Sequence, residues 1–307
     1  MTRAVNAGLS SFSIRTKMKL SLMISTVQKV RLREYHPIPR KPKMSTSSEI
    51  DAFVEDGYII RKGALSKTDI QIYRNAIDRI LHKCRIEGLH ADHLRYIDGE
   101  RDDIWGVNNI FHPSIRERAL VDALAHPQIL DVIEALIGQR LRYYLCTLLV
   151  SSEQKPYHIN WHRDAASDGE VPLETLRSRL RSHVQLNGAL YDDETLYIVP
   201  GSHRRELTEA ERTVIRQTPK AAMPDQLVVK LKAGDIVFYN SSLLHKGYNL
   251  SGAKRQTLHY AVLTAPPENE PRNPQSPTSQ EWLNEPTFLG SLPERLKPLF
   301  DNWLKYG

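Results

Sequence analysis

The order of the predicted secondary structure constrains the fold of this chain more than any other feature of its sequence. Apolar residues at helical spacing predict helices first, beginning near Ser47, Ser66, Ile115 and Pro127. Short β-type runs separated by Gly, Pro or Asp follow, over 141–150, 157–162, 183–191, 196–199, 226–231, 235–239 and 257–263. This order predicts a mainly β chain with flanking helices (α+β), built around an antiparallel barrel or jelly roll. The polar segment 87–103 is predicted to be a loop.

The positive charge of the chain is concentrated in its first 43 residues, which hold ten Lys or Arg and a single acid. The rest has 32 basic against 35 acidic residues, so the net charge of +6 does not belong to the predicted domain. Because nucleic-acid binding requires a basic face on the domain itself, we expect no nucleic-acid partner. No stretch of the sequence approaches the roughly 18–20 apolar residues of a membrane span. The two cysteines favour a reducing, intracellular compartment.

We predict three parts along the chain. Residues 1–46 form a basic, disordered leader, whose Ser/Thr-rich and nearly acid-free composition also fits a mitochondrial transit peptide. The protein is then cytoplasmic or, if the leader targets it, mitochondrial; translation from Met44 is a further alternative. The barrel domain spans 47–265. Over 266–307, a Pro-rich linker leads into a helical tail that packs on the barrel.

The segment 161–164 carries a possible metal site at the end of a predicted strand. His162 and Asp164 are two positions apart, so in a strand they share a face and can hold one metal ion. An imidazole and a carboxylate, completed by a distant second His, form the facial triad of non-haem Fe(II) oxygenases. Such pairs also arise by chance; His90 and Asp92 form a second one, which we interpret as surface because no strand is predicted there.

The candidate for the second imidazole is His245, which follows the predicted strand over 235–239. Arg255 comes ten residues later and shares a strand face with Thr257 and His259. An inward-facing Arg in a barrel requires an anion, and a dicarboxylate cosubstrate would supply one, with a hydroxyl beside it. A salt bridge between Arg255 and a carboxylate of the chain explains the same pattern.

Five segments together resemble the phytanoyl-CoA dioxygenase (PhyH) family of Fe(II)/2-oxoglutarate-dependent oxygenases, over about residues 50–263. They occur in the order of the family: 53–60, 127–138, 161–164, 196–204 with its Pro-Gly-Ser-His sequence, and 234–238 followed by His245 and Arg255. The resemblance implies a double-stranded β-helix, the cupin-like form of the jelly roll.

The resemblance also implies the residues of the site. Fe(II) would be bound by His162, Asp164 and His245, and the distal carboxylate of 2-oxoglutarate by Arg255. The further contacts to the cosubstrate that it implies are Thr257 as the hydroxyl partner, Tyr144, and His183 or Gln185 on the next inward strand. His183 and Asn187 depart from many members of the family, which points to a reshaped pocket. The chain also lacks the acyl-CoA-binding features of the founding members, so a CoA thioester substrate is not expected.

The function implied is hydroxylation of a small organic molecule by O₂, with 2-oxoglutarate decarboxylated to succinate and CO₂ and with ascorbate as a supporting reductant. Two alternatives stay open: an inactive jelly-roll module that binds a metabolite or partner, and a cupin-type barrel with another metal and chemistry. The intact triad argues against the first, and Arg255 at its spacing against the second. The pattern does not specify the prime substrate, which is the molecule that is oxidised. It does not specify the oligomeric state either.

Several further polar residues are interpreted as structural. His203 is predicted to be a turn residue, and His259 a hydrogen-bonded core histidine. The acidic run 192–194 is predicted to be a solvated turn. The segment 173–181, with its three arginines, is predicted to be an exposed helix, although it could also lie over the mouth of the site and attract an acidic substrate.

Overall fold

Two antiparallel sheets form the centre of the computed structural model. The structure describes residues 47–97, 100–152, 155–164, 166–250, 252–267 and 282–306. The predicted leader over 1–46, and all of the predicted linker over 266–280 except its first two residues, lie outside these ranges. Among the helices of the described ranges, none combines the length and the apolar composition that crossing a membrane requires.

Strands between Tyr58 and Thr264 form the two sheets. Their bounds are β1 Tyr58–Arg61, β2 Leu94–Ile97, β3 Glu100–Val107, β4 Leu141–Val150, β5 Tyr157–His158, β6 His183–Ala189, β7 Asp193–Ile198, β8 Leu227–Leu231, β9 Ile236–Tyr239, β10 His245–Asn249 and β11 Gln256–Thr264. The large sheet has the order β1-β9-β6-β11-β4-β3-β2, and the small sheet has the order β5-β10-β7-β8. Every pairing between these strands is antiparallel. The predicted mainly β jelly roll with flanking helices is confirmed, and its two sheets are not closed into one continuous barrel.

Helices from both ends of the described chain cover the outer face of the large sheet. Their bounds are α1 Ser47–Glu55, α2 Lys67–Arg85, α3 Arg118–Leu124, α4 Pro127–Ile137, α5 Leu173–Ser178, α6 Glu209–Gln217, α7 Pro286–Ser291 and α8 Lys297–Tyr306. The main hydrophobic core lies between this sheet face and helices α1 to α4 and α8, and α5 and α6 lie elsewhere. A second apolar cluster, which includes Ala189, Ile198 and Val237, joins the inner faces of the two sheets.

Strand β6 shows how the sequence separates these two faces. Val184 and Leu186 point outward into the main core, whereas Gln185 and Asn187, at the alternate positions, point inward. Burial of the apolar pair against the helices sets the register of the strand. The polar pair is therefore directed into the space between the sheets.

The segment 87–103, predicted to be a polar loop, differs from that prediction. It contains β2 and the beginning of β3, which pair as a hairpin and extend the large sheet beyond β4. The sequence Asp98-Gly99 between the strands is a typical hairpin signal, but charged residues on both sides hide the alternation expected of strands.

The C-terminal helix α8 packs on the outer side of the sheet. Leu299, Phe300 and Trp303 are buried in the main core, and the rings of Phe300 and Tyr143 of β4 stack with centroids 4.7 Å apart. The apolar positions of α8, three or four residues apart, give this helix the buried face that holds it there.

Helix α2 begins with a capping box. The Ser66 hydroxyl accepts the N–H of Asp69 at 3.1 Å, and the Asp69 carboxylate accepts the N–H of Ser66 at 2.8 Å. Two donors that the helix would otherwise leave unpaired are satisfied in this way.

We therefore expect Ser66→Ala to lower the free energy of unfolding by about 1 kcal/mol, because one of these bonds is lost. Chemical denaturation followed by circular dichroism measures the change. Thr68→Ala, at an exposed position of the same turn, is the matched control and should have little effect. Equal stability of the Ser66 variant and the wild type would contradict the capping role.

Candidate metal centre

Backbone pairing brings His162 and His245 together. Each donates its N–H to the carbonyl of the other at 3.0 Å, as an isolated antiparallel bridge at the start of β10. The two imidazole rings lie 4.3 Å apart between centroids. Asp164 follows on the same segment, and its N–H donates to the carbonyl of Ser241 at 3.1 Å. Two distant parts of the chain thus present three polar side chains at one place.

The donor atoms of these three side chains converge. Nε2 of His162 lies 3.6 Å, and Nε2 of His245 3.9 Å, from Oδ1 of Asp164. One ligand atom from each residue lies within 4.8 Å of the others, so the cluster could hold a metal ion. Nδ1 of each His lies 2.8 Å from the carbonyl oxygen two residues earlier, of Asn160 and Leu243. Nδ1–H of each imidazole donates a hydrogen bond to its carbonyl, so in the neutral ring Nε2 is unprotonated and faces the cluster.

The cluster favours the protonation states that metal ligands need. Burial opposes ionisation of Asp164, but the neighbouring imidazoles of His245 and His162 outweigh it and lower the pKa of the carboxyl to about 2. Burial, with His162 beside it, lowers the pKa of His245 to about 4. For His162, burial opposes protonation, but the Asp164 carboxylate and the hydrogen bond to the carbonyl of Asn160 together outweigh it and raise the pKa. An ionised carboxylate and a neutral imidazole at neutral pH are ready to bind a cation.

The carboxylate of Asp164 is itself held in place by β6. Nε2 of Gln185 donates to Oδ2 of Asp164, and Oε1 of Gln185 accepts the hydroxyl of Tyr239 at 2.8 Å. Oδ1, the oxygen nearer to both imidazoles, is left for a metal. Tyr239 lies on β9, so two neighbouring strands of the large sheet orient one ligand of the cluster.

Arg255 lies on the inner side, but a carboxylate of the chain already contacts it. Its Nε donates to Oδ2 of Asp193 at 2.8 Å, and its Nη1 donates to the hydroxyl of Tyr157. The hydroxyl of Thr257 donates to the same Asp193 oxygen at 2.8 Å. Arg255 and Thr257 therefore form a two-donor site for one carboxylate oxygen. In this structure Asp193 supplies that oxygen.

The two remaining predicted contacts lie in different surroundings. His183 begins β6 on the inner side, in line with Gln185; burial lowers its pKa to about 4, and Arg179 and Arg142 add to this effect. Tyr144 is the extra residue of a β-bulge in β4, and 48% of its side chain is exposed. Among the described residues, no hydrogen bond or ring contact joins Tyr144 to the metal-ligand cluster.

Of the predictions that interpreted residues as structural, one is wrong. His203 lies in a short 3₁₀ turn and bonds the carbonyl of Val54 at 3.1 Å, and His259 bonds the side chain of Asn187 at 2.8 Å. The prediction of a solvated turn is wrong for Asp193, which is buried, because Arg255 and Thr257 pair with it. In the segment 173–181, α5 is helical, and Arg181 beyond it donates to carbonyls at the end of α4.

Sequence reasoning missed Arg95, on β2. Its Nε donates to Oδ1 of Asn108 at 2.6 Å, and its guanidinium lies 4.9 Å from the centroid of the Trp105 ring. Burial lowers the pKa of His259 to about 3, and the positive charge of Arg95 adds to this effect. Because the segment 87–103 is predicted to be a loop, Arg95 is not assigned to a strand. The hairpin signal Asp98-Gly99 in the sequence could have placed it on one.

A jelly roll that carries two imidazoles and a carboxylate on its inner side has the arrangement of the non-haem iron oxygenases. The sequence profile of the family described as Phytanoyl-CoA dioxygenase (PhyH) matches residues 53–257. The chain belongs to this family. No sequence among curated proteins matches the chain.

Solved structures share the fold. AviO1 from Streptomyces viridochromogenes Tue57 has a TM-score of 0.56 at 23% identity, over 73% of this chain and 98% of that one. EctD from S. alaskensis, solved with 2-oxoglutarate and 5-hydroxyectoine, has a TM-score of 0.57 at 18% identity, over 76% and 80%. The epimerase SnoN, in complex with Fe³⁺, alpha ketoglutarate and nogalamycin RO, has a TM-score of 0.53 at 19% identity, over 75% and 90%.

The contact between Gln185 and Asp164 generates a prediction about metal affinity. Gln185→Leu should weaken binding of Co²⁺ by about 10- to 100-fold, because Asp164 loses the donor that orients it. Titration monitored by the visible absorption of bound Co²⁺ gives the affinity. Gln71→Leu, on the exposed surface of α2, should bind Co²⁺ as the wild type does. An unchanged affinity of the Gln185 variant would show that the amide does not orient the carboxylate.

Proposed function

We propose that this protein is an Fe(II)/2-oxoglutarate-dependent oxygenase that hydroxylates a small organic molecule while 2-oxoglutarate is decarboxylated to succinate and CO₂. The observation that carries the proposal is the convergence of three ligand atoms within 4.8 Å in a chain of the phytanoyl-CoA dioxygenase family. O₂ is the oxidant, and ascorbate would support the reaction by keeping the iron reduced.

His162, Asp164 and His245 would hold the iron. The donor set fits Fe(II), because two imidazole nitrogens and one carboxylate oxygen leave coordination positions open for ligands. Bound there, the iron supplies the redox centre at which O₂ and the 2-oxo acid react. The carbonyls of Asn160 and Leu243 fix the orientation of the two imidazoles, and Gln185 fixes that of the carboxylate.

Arg255 and Thr257 would bind the distal carboxylate of 2-oxoglutarate. Both are buried, and both donate to one oxygen of Asp193, so their donors are already arranged for a carboxylate. On this proposal the cosubstrate takes the position of the Asp193 carboxylate, which gives up these bonds. His183 on the inner side of β6 and Tyr144 are further candidate contacts, of which His183 is better placed, since Tyr144 is largely exposed.

The structural neighbours are consistent with this cofactor set. EctD has been solved with 2-oxoglutarate and SnoN with iron and alpha ketoglutarate. SnoN is described as an epimerase and SnoK, a further neighbour, as a carbocyclase, so the fold accommodates several outcomes of one chemistry. We favour hydroxylation, which is the usual outcome, and Asp164 argues against halogenation, where a small residue would leave that position to chloride. An inactive binding module is less well supported, because all three candidate ligands and Arg255 are present.

Asp164→Ala should abolish succinate formation in protein supplied with Fe(II), 2-oxoglutarate, ascorbate and air. The carboxylate is the only candidate anionic ligand of the cluster, so its loss removes the iron. The matched control is Asp92→Ala, which alters the second His-x-Asp pair at an exposed position outside the site. Succinate formation by Asp164→Ala at the wild-type rate would refute the assignment of the ligands.

Arg255→Gln should raise the KM for 2-oxoglutarate by about tenfold or more, since a charge-assisted bond to the cosubstrate is lost, and change kcat less. The double variant Arg255→Gln, Asp193→Asn avoids leaving Asp193 as an unpaired buried charge and should show the same rise. Lys254→Gln, at the exposed neighbouring position, serves as the control. Steady-state succinate formation gives both constants, and an unchanged KM in the double variant would exclude the anchoring role.

A further inference from the structure

A second arginine, Arg95, faces the metal-ligand cluster from the far edge of the large sheet. The strand register places Arg95 of β2 opposite Gly106 of β3, Gly106 opposite Leu149 of β4, and Leu149 opposite Thr257 of β11. Side chains in one such row lie on one face of a sheet. Since Thr257 points inward to Asp193, Arg95 also points to the inner side.

Gly106 makes room for the side chain of Arg95 to cross the sheet. A Cβ atom at Gly106 would lie 2.9 Å from Cδ of Arg95 and 2.9 Å from the carbonyl oxygen of Leu148. Both distances are too short for a real side chain. The stem of Arg95 therefore occupies the space above this glycine and carries the guanidinium away from the edge of the sheet.

The guanidinium is held at one end and unpaired at the other. Asn108 accepts from Nε, and Trp105 packs against the planar group. Throughout the described ranges, no acceptor bonds the two terminal nitrogens of Arg95. The side chain is half-buried, but its terminal nitrogens are not among the fully enclosed polar atoms that lack a partner, so they are accessible to an entering ligand.

The charged and polar groups near Arg95 indicate where the terminal nitrogens of its guanidinium lie. Asp164 and Tyr239 act electrostatically on Arg95, and Arg95 acts on His259 in turn. These three residues belong to the cluster or lie on the inner strands beside it. Arg142 and Arg179 add positive charge near His183.

We infer that Arg95 binds a carboxylate of the prime substrate, so that the enzyme acts on an acidic molecule. This inference rests on the proposed function, in which Arg255 and Thr257 take the cosubstrate. That assignment leaves Arg95 as the cation available to a second ligand, because Asp193 pairs with Arg255, whereas Asn108 bonds only Nε of Arg95 and leaves its two terminal nitrogens without an acceptor. A carboxylate bound by the two terminal nitrogens would form a charge-assisted bidentate pair, which is about twice as strong as a neutral hydrogen bond.

The test compares an acid with its neutral amide in protein already loaded with Zn²⁺ and N-oxalylglycine, an unreactive analogue of 2-oxoglutarate. Hexanoate and hexanamide are titrated separately, and tryptophan fluorescence reports binding, since Trp105 lies 4.9 Å from the guanidinium. Hexanoate should bind about tenfold or more tightly than hexanamide. Arg95→Gln should abolish this preference, and Arg95→Lys should retain part of it, because the charge stays but the planar fork is lost. Arg177→Gln, at an exposed position of α5, should behave as the wild type.

Equal affinities for hexanoate and hexanamide in the wild type would overturn the inference, as would an acid preference that survives in Arg95→Gln. Weaker binding of N-oxalylglycine by Arg95→Gln would also overturn it, because Arg95 would then hold the cosubstrate. Failure of wild-type protein to bind N-oxalylglycine would remove the proposed function and this inference together. Normal N-oxalylglycine binding without an acid preference would remove this inference alone.

Discussion

The site depends on two backbone hydrogen bonds between His162 and His245. These bonds join segments that are far apart in the sequence, and each His then directs Nδ1 to a carbonyl of its own segment. The same local geometry therefore sets the spacing, the tautomer and the direction of both imidazoles. If these residues hold the proposed iron, a site built on paired backbone would need little reorganisation of the protein when the ion binds.

The alternation of side chains in β6 links this site to the stability of the fold. Val184 and Leu186 are held in the core by the helices, and this burial fixes the register that directs Gln185 toward Asp164. A slip of one residue would exchange the two faces, burying amides among apolar side chains and removing the support of the carboxylate. The energy that maintains the orientation of a metal ligand thus comes from hydrophobic packing on the opposite face of the sheet.

Much of this arrangement could be predicted from the sequence, because it rests on local patterns. The bounds of α4 and β4 match the prediction, and the i, i+2 spacing of His162 and Asp164 identified the pair that the structure brings to His245. The features that could not be predicted from the sequence depend on tertiary contacts. Asp193 belongs to an acidic run that is typical of a surface turn, and only its pairing with Arg255 explains its burial. Arg95 lies in a hairpin whose charged residues conceal the strand pattern.

The pairing of Asp193 with Arg255 and Thr257 has a consequence for how the protein is made. A guanidinium in the interior would strongly destabilise an empty site, since no water fully replaces its partner. Because Asp193 supplies the counter-charge from within the chain, the polypeptide can fold before any small molecule has arrived. On the proposed function, loading with a dicarboxylate would be an exchange of one carboxylate for another, and folding of the protein would not depend on the metabolic supply of its ligand.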